Sequence, residues 1–243
     1  MNEVPNISLN VHNRKKTQGK HGKNKEKQYM ATARPLERTE INAMLAEFKG
    51  LYRDRNKALF LLGLTTGFRI SELLSLTISD IVDESGAIVE ALTVSRGRMK
   101  GKKRSRSVWL SEQVRAVIDD WCNQLRKLGF RAGNEYAFCQ ANGEPISYYE
   151  YWDIVKRTAR RAGLSPIRGV STHSMRKTFA RNVWRDAKRR ERGGEHIDAW
   201  KVVQEALGHK SIESTQHYMN FLDRNEIKSS VIAAQEAVLC HSE

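Results

Sequence analysis

The sequence predicts a mainly α-helical domain that also holds a small antiparallel β-sheet, the α+β class. Two observations carry this prediction. Most of the chain from Leu36 onward repeats apolar residues with helical periodicity, and serines or glycines mark the ends of these segments. Residues 77–110 instead show short β-rich runs on either side of a polar link.

Length and charge narrow the class of protein. The chain has 243 residues and 40% apolar residues, enough for one main domain with tails. Its net charge of +14 favours a polyanionic partner, with nucleic acid the leading candidate. Charge alone does not separate an enzyme from a binding protein without chemistry. Residues 1–34 form a basic arm that is predicted to be disordered and either follows phosphates or only aids solubility.

The sequence favours an intracellular protein. Cys122, Cys139 and Cys240 lie far apart, without the spacing of metal ligands or of a disulfide framework. No apolar run approaches the roughly 18 residues of a membrane span, and the N-terminus lacks the hydrophobic segment of a signal peptide. We therefore expect reduced thiols, no metal or other cofactor, and a cytoplasmic location.

The domain is predicted to span residues 35–225. Its first part is predicted to contain three helices. Apolar residues from Ile41 to Phe48 form one face of the first helix, which ends near Gly50. A second helix runs through RNKALFLLGL and ends near Gly67, and a third begins in FRISELLSL. Arg69 is therefore expected at a helix boundary.

Two strands and five helices are predicted in the remainder. The runs AIVEALTV and RSVWL form strands joined by the basic link SRGRMKGKKRSR. One helix runs from Ser111 to Gly129 and another from Ser147 to Gly163. Four side chains of the latter are predicted to pack in the core: Tyr148, Tyr151, Trp152 and Val155. Further helices start near Met175, in DAWKVVQEALG and in ESTQHYMNF.

The motifs of the chain point to phosphodiester chemistry. Cleavage without a metal needs a nucleophile, cations against the phosphate oxygens and a proton donor for the leaving alkoxide. Six residues that can supply these groups occur in the order Arg69, Lys100, His173, Arg176, His209 and Tyr218. They lie in TGFRISELL, GRMKGKK, HSMRKTFA and LGHKSIESTQHYM. In these motifs the chain resembles the catalytic domain of the tyrosine recombinases, the phage integrase superfamily, over about residues 36–225.

This resemblance implies a role for each residue. Arg69 and Arg176 would present their guanidinium groups to the non-bridging oxygens of the scissile phosphate. Tyr218 would attack phosphorus to give a 3′-phosphotyrosyl linkage, which can be resealed without ATP. His173 and His209 would hydrogen-bond the phosphate or assist proton transfer.

Further basic and acidic residues receive supporting roles. Lys100 would be the general acid that protonates the 5′ oxygen, with Lys102 as the alternative. Contacts with DNA are expected from Lys102, Lys103, Arg104 and Lys177, the last at a position where many relatives have histidine. Glu72 lies one helical turn after Arg69 and would orient a histidine or an arginine, or else form an ordinary intrahelical ion pair.

The chain also differs from most relatives, which carry a helical core-binding domain before the catalytic domain. Here it resembles the short invertase-like or Xer-like members, and the basic arm, a second subunit or a host protein would complete the clamp on DNA. The segment RDAKRRERGGEHID is interpreted as an insertion that forms an exposed loop or touches DNA. Residues 226–243 predict a helix that packs on a neighbouring subunit or on its own domain.

The expected function is site-specific DNA recombination by a homotetramer on double-stranded DNA. Accessory or host DNA-binding proteins are further expected partners, in a nucleoid-associated prokaryotic, phage or plasmid context. Two alternatives stay open. One is a nicking-closing enzyme like the type IB topoisomerases, and the other is a catalytically silent DNA-binding regulator with the same fold.

Overall fold

The computed structural model describes residues 33–98, 105–130, 133, 135–220, 231–232 and 235–236. The helices and strands, in chain order, are α1 (Arg38–Glu47), α2 (Arg53–Thr66), α3 (Ile70–Leu74), α4 (Ile78–Ile81), β1 (Ala91–Val94), β2 (Arg106–Trp109), α5 (Glu112–Lys127), α6 (Tyr148–Arg161), α7 (Thr172–Arg192), α8 (Ala199–Leu207) and α9 (Ile212–Tyr218). The two strands form an antiparallel sheet, so the predicted α+β class is confirmed. None of the described helices is long and apolar enough to cross a lipid bilayer.

Local sequence signals fix several helix ends. Ser111 and Ser147 cap α5 and α6, as predicted, by accepting hydrogen bonds from backbone N–H groups one turn further on. Gly67 ends α2 in the left-handed region with φ of 61°. A Cβ atom at this position would also clash with the ring of Phe179 on α7. Only glycine therefore allows the end of α2 to lie so close to α7.

The sheet is a short hairpin, and one of its faces packs against the rest of the domain. Its register places Val94 opposite Arg106 and Thr93 opposite Ser107, and the two hydroxyl oxygens of the second pair lie 2.7 Å apart. Side chains alternate along β2, so Arg106 is partly buried whereas Ser107 is exposed and Trp109 is 78% exposed. The hairpin thus directs one arginine of β2 into the protein.

Buried apolar side chains form two clusters. The larger cluster joins α1 to α6, the hairpin and Met175 near the start of α7. The smaller cluster lies between α7, α8 and α9 and contains Ala180, Trp184, Ala187, Ala199, Val203, Leu207 and Met219. Because α7 contributes to both clusters, it connects the two parts of the domain.

The expectation of an exposed loop over RDAKRRERGGEHID, residues 185–198, is wrong for residues 185–192. Helix α7 begins at Thr172, earlier than predicted, and continues without a break to Arg192. Alanine, lysine, arginine and glutamate are strong helix formers, and Lys188 pairs with Glu191 one turn away. Trp184 and Ala187 also bury their side chains in the smaller cluster, which favours helix over loop.

The prediction for the aromatic residues of α6 holds in part. Tyr151 and Val155 are fully buried, but Tyr148 and Trp152 are each 37% exposed. Cys122 and Cys139 are buried free thiols, and burial raises the pKa of Cys122 to about 12.

Three predictions of the sequence lie wholly or largely outside the described residues. These are the basic arm over residues 1–34, the thiol of Cys240, and most of the helix predicted within residues 226–243. In that last segment the described residues, 231–232 and 235–236, are helical.

Candidate active site

The junction between α2 and α3 positions Arg69. This arginine is the N-cap residue of α3, and its side chain is 38% exposed. The carboxylate of Glu72 is 2% exposed, and it accepts 2.9 Å and 2.8 Å hydrogen bonds from the guanidinium and the backbone N–H of Arg69. The sequence predicts that Glu72 either orients a histidine or an arginine or forms an ordinary intrahelical ion pair. Its ion pair with Arg69 does both, because the same contact orients the arginine.

Helix α7 positions Arg176, which is only 3% exposed. Its guanidinium donates to the backbone carbonyl of Gly67 at the end of α2, and at 2.9 Å to that of Leu207 at the end of α8. Carbonyls at helix C-termini lack intrahelical donors and carry partial negative charge, so a guanidinium stabilises them. Arg176 thus holds two helix ends together while its charge stays inside the domain.

The tautomer of His209 follows from the contacts of its two ring nitrogens. Nε2 lies 3.3 Å from a terminal nitrogen of Arg176, and Nδ1 lies 3.0 Å from the hydroxyl oxygen of Thr215. Arginine cannot accept a hydrogen bond, so Nε2 must be the acceptor and Nδ1 must carry the proton. The Thr215 hydroxyl in turn donates to the carbonyl of Ser211 at 3.3 Å, which orders the imidazole.

Tyr218 ends α9 beside these groups. Its ring packs edge-on against His209, with centroids 5.5 Å apart, and the guanidinium carbon of Arg176 lies 5.9 Å from its centroid. Its hydroxyl is buried and meets no partner in the described residues at full hydrogen-bond geometry, but the guanidinium of Arg176 is close enough to favour the phenolate. Burial raises the pKa of Tyr218 to about 12, while the charges of Arg176 and Arg69 oppose this increase.

Two further residues of α7, His173 and Lys177, lie near these groups. His173 is exposed as a whole residue, but its imidazole ring is partly removed from water. This desolvation, followed by the charges of Arg176 and Arg69, lowers the pKa of His173, so the imidazole is neutral at pH 7. The ammonium of Lys177 lies 5.5 Å from the centroid of the Tyr218 ring, and the residue is 7% exposed. This position suits a partner of the tyrosine better than a contact of the DNA backbone, so the role of Lys177 in DNA binding stays a prediction.

The structure thus brings together Arg69, Glu72, His173, Arg176, His209 and Tyr218. Four predicted site residues, Lys100, Lys102, Lys103 and Arg104, lie outside the described residues. They belong to the link between Arg98, which ends a short 3₁₀ turn, and the residues that begin β2.

Sequence reasoning missed Arg106, the first residue of β2. Its guanidinium donates to the backbone carbonyl of Thr66 and, at 2.8 Å, to that of Ala206, and its guanidinium carbon lies 4.0 Å from the centroid of the Phe68 ring. Burial and the charge of Arg176 lower its pKa. Strand alternation would have placed Arg106 on the inner side of the hairpin, but nothing local predicts its acceptors.

The arrangement is suited to an anionic ligand. Arg69 and Arg176 supply two guanidinium groups, and the neutral His173 and the ordered His209 lie beside them. Together they can neutralise charge that builds on phosphate oxygens. Tyr218 brings the one phenol placed among these groups in the described part of the chain.

Comparisons with known proteins indicate one family. Residues 34–224 match the model described as the phage integrase family. The chain is 29% identical over 184 residues to the tyrosine recombinase XerD of Halalkalibacterium halodurans, covering 74% of this chain and 54% of that protein. It is 35% identical over 173 residues to the tyrosine recombinase XerA of Pyrococcus furiosus, covering 70% and 51%. The chain therefore spans about half the length of the curated relatives it matches.

Solved structures share the fold. A crystal structure of the XerA recombinase superposes with a TM-score of 0.61 at 22% identity, over 87% of this chain and 66% of that one. The post-cleavage complex of the XerH site-specific recombinase with a palindromic difH substrate gives a TM-score of 0.60 at 25% identity, over 84% and 54%.

Proposed function

Since the chain belongs to the phage integrase family, we propose that it is a site-specific DNA recombinase whose nucleophile is Tyr218. One observation carries the proposal. The Tyr218 hydroxyl is buried beside Arg176, within reach of the charge of Arg69, and its ring packs on His209. The guanidinium of Arg176 and the ammonium of Lys177 lie beside the ring, and such cations would stabilise the phenolate that attacks phosphorus.

The proposed reaction is a transesterification at phosphorus. The phenolic oxygen of Tyr218 attacks the phosphorus atom, the bond from phosphorus to the 5′ oxygen breaks, and a 3′-phosphotyrosyl linkage forms. Arg69 and Arg176 offset the charge of the pentacoordinate transition state. The phenolic proton passes to a base of the site, a role that we assign to the imidazole of His173, which lies near Arg176 and Arg69. The reverse reaction reseals the strand without ATP.

The leaving 5′ oxygen needs a proton, and we assign this donation to a lysine of the link at residues 99–104. Lys100 is the first candidate and Lys102 the second. Nearby cations favour the neutral form of a lysine and so bring its pKa closer to the working pH, as a general acid requires.

The proposed partners follow from charge and from family membership. Double-stranded DNA is the substrate, since the relative XerH was solved in complex with its difH substrate. Two pairs of strands are exchanged in recombination, so a homotetramer is the working assembly, with accessory or host proteins at its edges. The basic segment 1–34 would follow the DNA backbone, and residues 226–243 would pack on a neighbouring subunit.

A nicked suicide duplex tests the proposal. The protein is incubated with nicked duplexes tiled across the DNA that flanks its gene, and covalent adducts are separated on a denaturing gel. Wild type should form an adduct, and Tyr218→Phe should form none. The control is Tyr149→Phe, because this tyrosine of α6 is 79% exposed and lies outside the site. Absence of any wild-type adduct would favour the silent regulator.

Relaxation assays separate recombination from nicking and closing. A recombinase requires a defined sequence and the pairing of two duplexes, whereas a topoisomerase relaxes supercoiled plasmid of any sequence. Efficient relaxation of a plasmid that lacks an adduct-forming site would therefore replace the recombinase proposal by the topoisomerase alternative.

A further inference from the structure

Lys177 is a buried lysine that faces the proposed nucleophile. It follows Arg176 directly on α7 and is 7% exposed, and its ammonium lies 5.5 Å from the centroid of the Tyr218 ring. Burial lowers the pKa of Lys177, because an ammonium removed from water loses part of the hydration that stabilises its charge. An anion that forms beside this ammonium stabilises the charge again, and the ammonium stabilises the anion in return.

Lys156 on α6 shows what a similar lysine does outside the site. It is 8% exposed, its ammonium lies 5.3 Å from the centroid of the Trp152 ring, and burial lowers its pKa as well. Its ammonium donates to the carbonyls of Ile167 at 2.9 Å and Arg168 at 3.4 Å, which ties α6 to the turn before α7. The indole beside Lys156 does not ionise, whereas the phenol beside Lys177 can become an anion.

Two arginines also act on Tyr218, but the proposed reaction assigns both of them to the phosphate. The charges of Arg176 and Arg69 favour the phenolate in the free protein. Once a scissile phosphate binds these guanidinium groups, its negative charge offsets their effect on the phenol. His209 adds an imidazole that packs edge-on against the ring. Lys177 is a further cation beside the ring, and the proposed reaction gives it no phosphate oxygen to bind.

We propose that Lys177 is the electrostatic partner of the nucleophile, and that it stabilises the phenolate of Tyr218 both when it attacks phosphorus and when it leaves. This inference rests on the proposed function, because Tyr218 is the nucleophile of that function. The phenolate is the attacking group in cleavage and the leaving group in resealing, so one cation beside the ring assists both steps. Lys177 transfers no proton in this role.

A fluorinated tyrosine incorporated at position 218 reports the ionisation of the nucleophile directly. An ordinary tyrosine titrates near pH 10, and fluorine on the ring makes the phenol more acidic, so the phenolate forms at a pH at which the fold persists. The fluorine NMR signal of this one label is followed against pH in the full chain without DNA. Folded and unfolded protein give separate signals, so partial misfolding does not enter the measured pKa.

Lys177→Met removes the charge and keeps an unbranched apolar chain. It should raise the pKa of the label by about 1, because an opposite charge at such a distance changes the pKa of a group by about 1 to 3. Lys177→Arg keeps a cation and should leave the pKa of the label close to that of the unsubstituted protein. Lys156→Met is the matched control, which removes a buried lysine from an aromatic ring, and it should lower stability without moving the pKa of the label.

The same variants with the natural tyrosine test the role in the reaction. Lys177→Met should slow single-turnover adduct formation on the nicked duplex by about 10-fold, in proportion to the smaller population of phenolate. Resealing is started by adding a strand with a 5′ hydroxyl to the isolated adduct, and it should slow as well, because a less stabilised phenolate is a poorer leaving group. The salt dependence of DNA binding should not change, because a lysine that contacts no phosphate releases no counterion.

The outcomes separate this inference from the proposed function. An unchanged pKa of the label in Lys177→Met, or an equal rise in Lys156→Met, overturns the electrostatic role. A weaker salt dependence of DNA binding with an unchanged pKa overturns it in favour of a contact with DNA. A rise in pKa without slower cleavage removes Lys177 from the reaction. If the pKa rises but wild type forms no adduct on any duplex, the pairing of Lys177 with the phenol stands and the recombinase function fails.

Discussion

The residues of the candidate site are supported by two different hydrophobic clusters, the larger and the smaller. Arg69 and Glu72 stand on helices of the larger cluster, whereas His209 and Tyr218 stand on α8, α9 and the turn between them, which depend on the smaller cluster. Arg176 is on α7, which belongs to both. Burial of less apolar surface gives a lower free energy of local opening. Arg69 thus lies in the part of the fold with the larger core, whereas Tyr218, the proposed nucleophile, lies in a part that we expect to open more easily.

We expect the largest effect on adduct formation from a substitution of Arg176, on the helix that connects the two clusters. Arg176→Lys replaces a planar group that spans the carbonyls of Gly67 and Leu207 by a single ammonium, which cannot bridge both and also meet His209. We expect adduct formation to slow by about 10²- to 10³-fold, as for the loss of one transition-state donor. Single-turnover cleavage of the nicked duplex measures it.

Arg181→Lys is the control on the same helix. Arg181 is 6% exposed and donates to the carbonyl of Leu36 at 2.5 Å, outside the site. It should lower stability with little effect on cleavage. A rate for Arg176→Lys within tenfold of wild type would contradict the bridging role.

A matched pair of valines tests whether the clusters open separately. Val155 on α6 and Val203 on α8 are both fully buried, one in each cluster. Val→Ala at either position should lower the free energy of global unfolding by about 2 kcal/mol. Only Val203→Ala should accelerate hydrogen exchange of the α8 and α9 amides, by about 30-fold, because it directly lowers the free energy of their local opening. Equal acceleration by both variants would mean that the clusters unfold as one unit.

The imidazole of His209 should be sensitive to a smaller change within α9. Thr215→Val keeps the shape of the fully buried threonine but removes the acceptor of the Nδ1 proton. Loss of such a supporting partner typically costs 10- to 100-fold, and we expect about 10-fold slower adduct formation. Thr215→Ser keeps the hydroxyl and should stay near wild type. Equal rates for the two variants would remove the hydrogen bond from the mechanism.

The smallest effect at neutral pH concerns the ionisation of Tyr218. Burial raises its pKa to about 12, above the ordinary value near 10. The folded state thus retains the phenolic proton after the unfolded chain has lost it, so this contribution to stability is complete below pH 10 and is lost as the pH rises from 10 to about 12.

Phenolate absorbance measured between pH 9 and pH 12 checks this expectation. The difference in phenolate absorbance between wild type and Tyr218→Phe should appear only well above pH 10 while the fold persists. The free energy of unfolding of Tyr218→Phe should also fall less across that interval. A difference titrating at pH 10 would show that the phenol is exposed to solvent, contrary to the packing on His209.

Sequence reasoning succeeded where the signal is local. The caps at Ser111 and Ser147, the end of α2 at Gly67 and the position of Arg69 at a helix boundary all depend on neighbours within one turn. It failed over residues 185–192, where charged residues suggested a loop. There the buried faces of Trp184 and Ala187 decided in favour of a helix, and they pack against α8, which is distant in sequence.

The sequence by itself determined the fold class and several helix ends, and it predicted the site residues from Arg69 to Tyr218, because periodicity, caps and motif spacing are properties of neighbouring residues. The tertiary structure alone decided which carbonyls the arginines bridge, which nitrogen of His209 carries its proton and that Lys177 is buried against Tyr218. Arg106 lies 100 residues from its acceptor Ala206, and Arg176 lies 109 residues from Gly67. Such pairings form only when separate helix ends meet, and no local pattern encodes them.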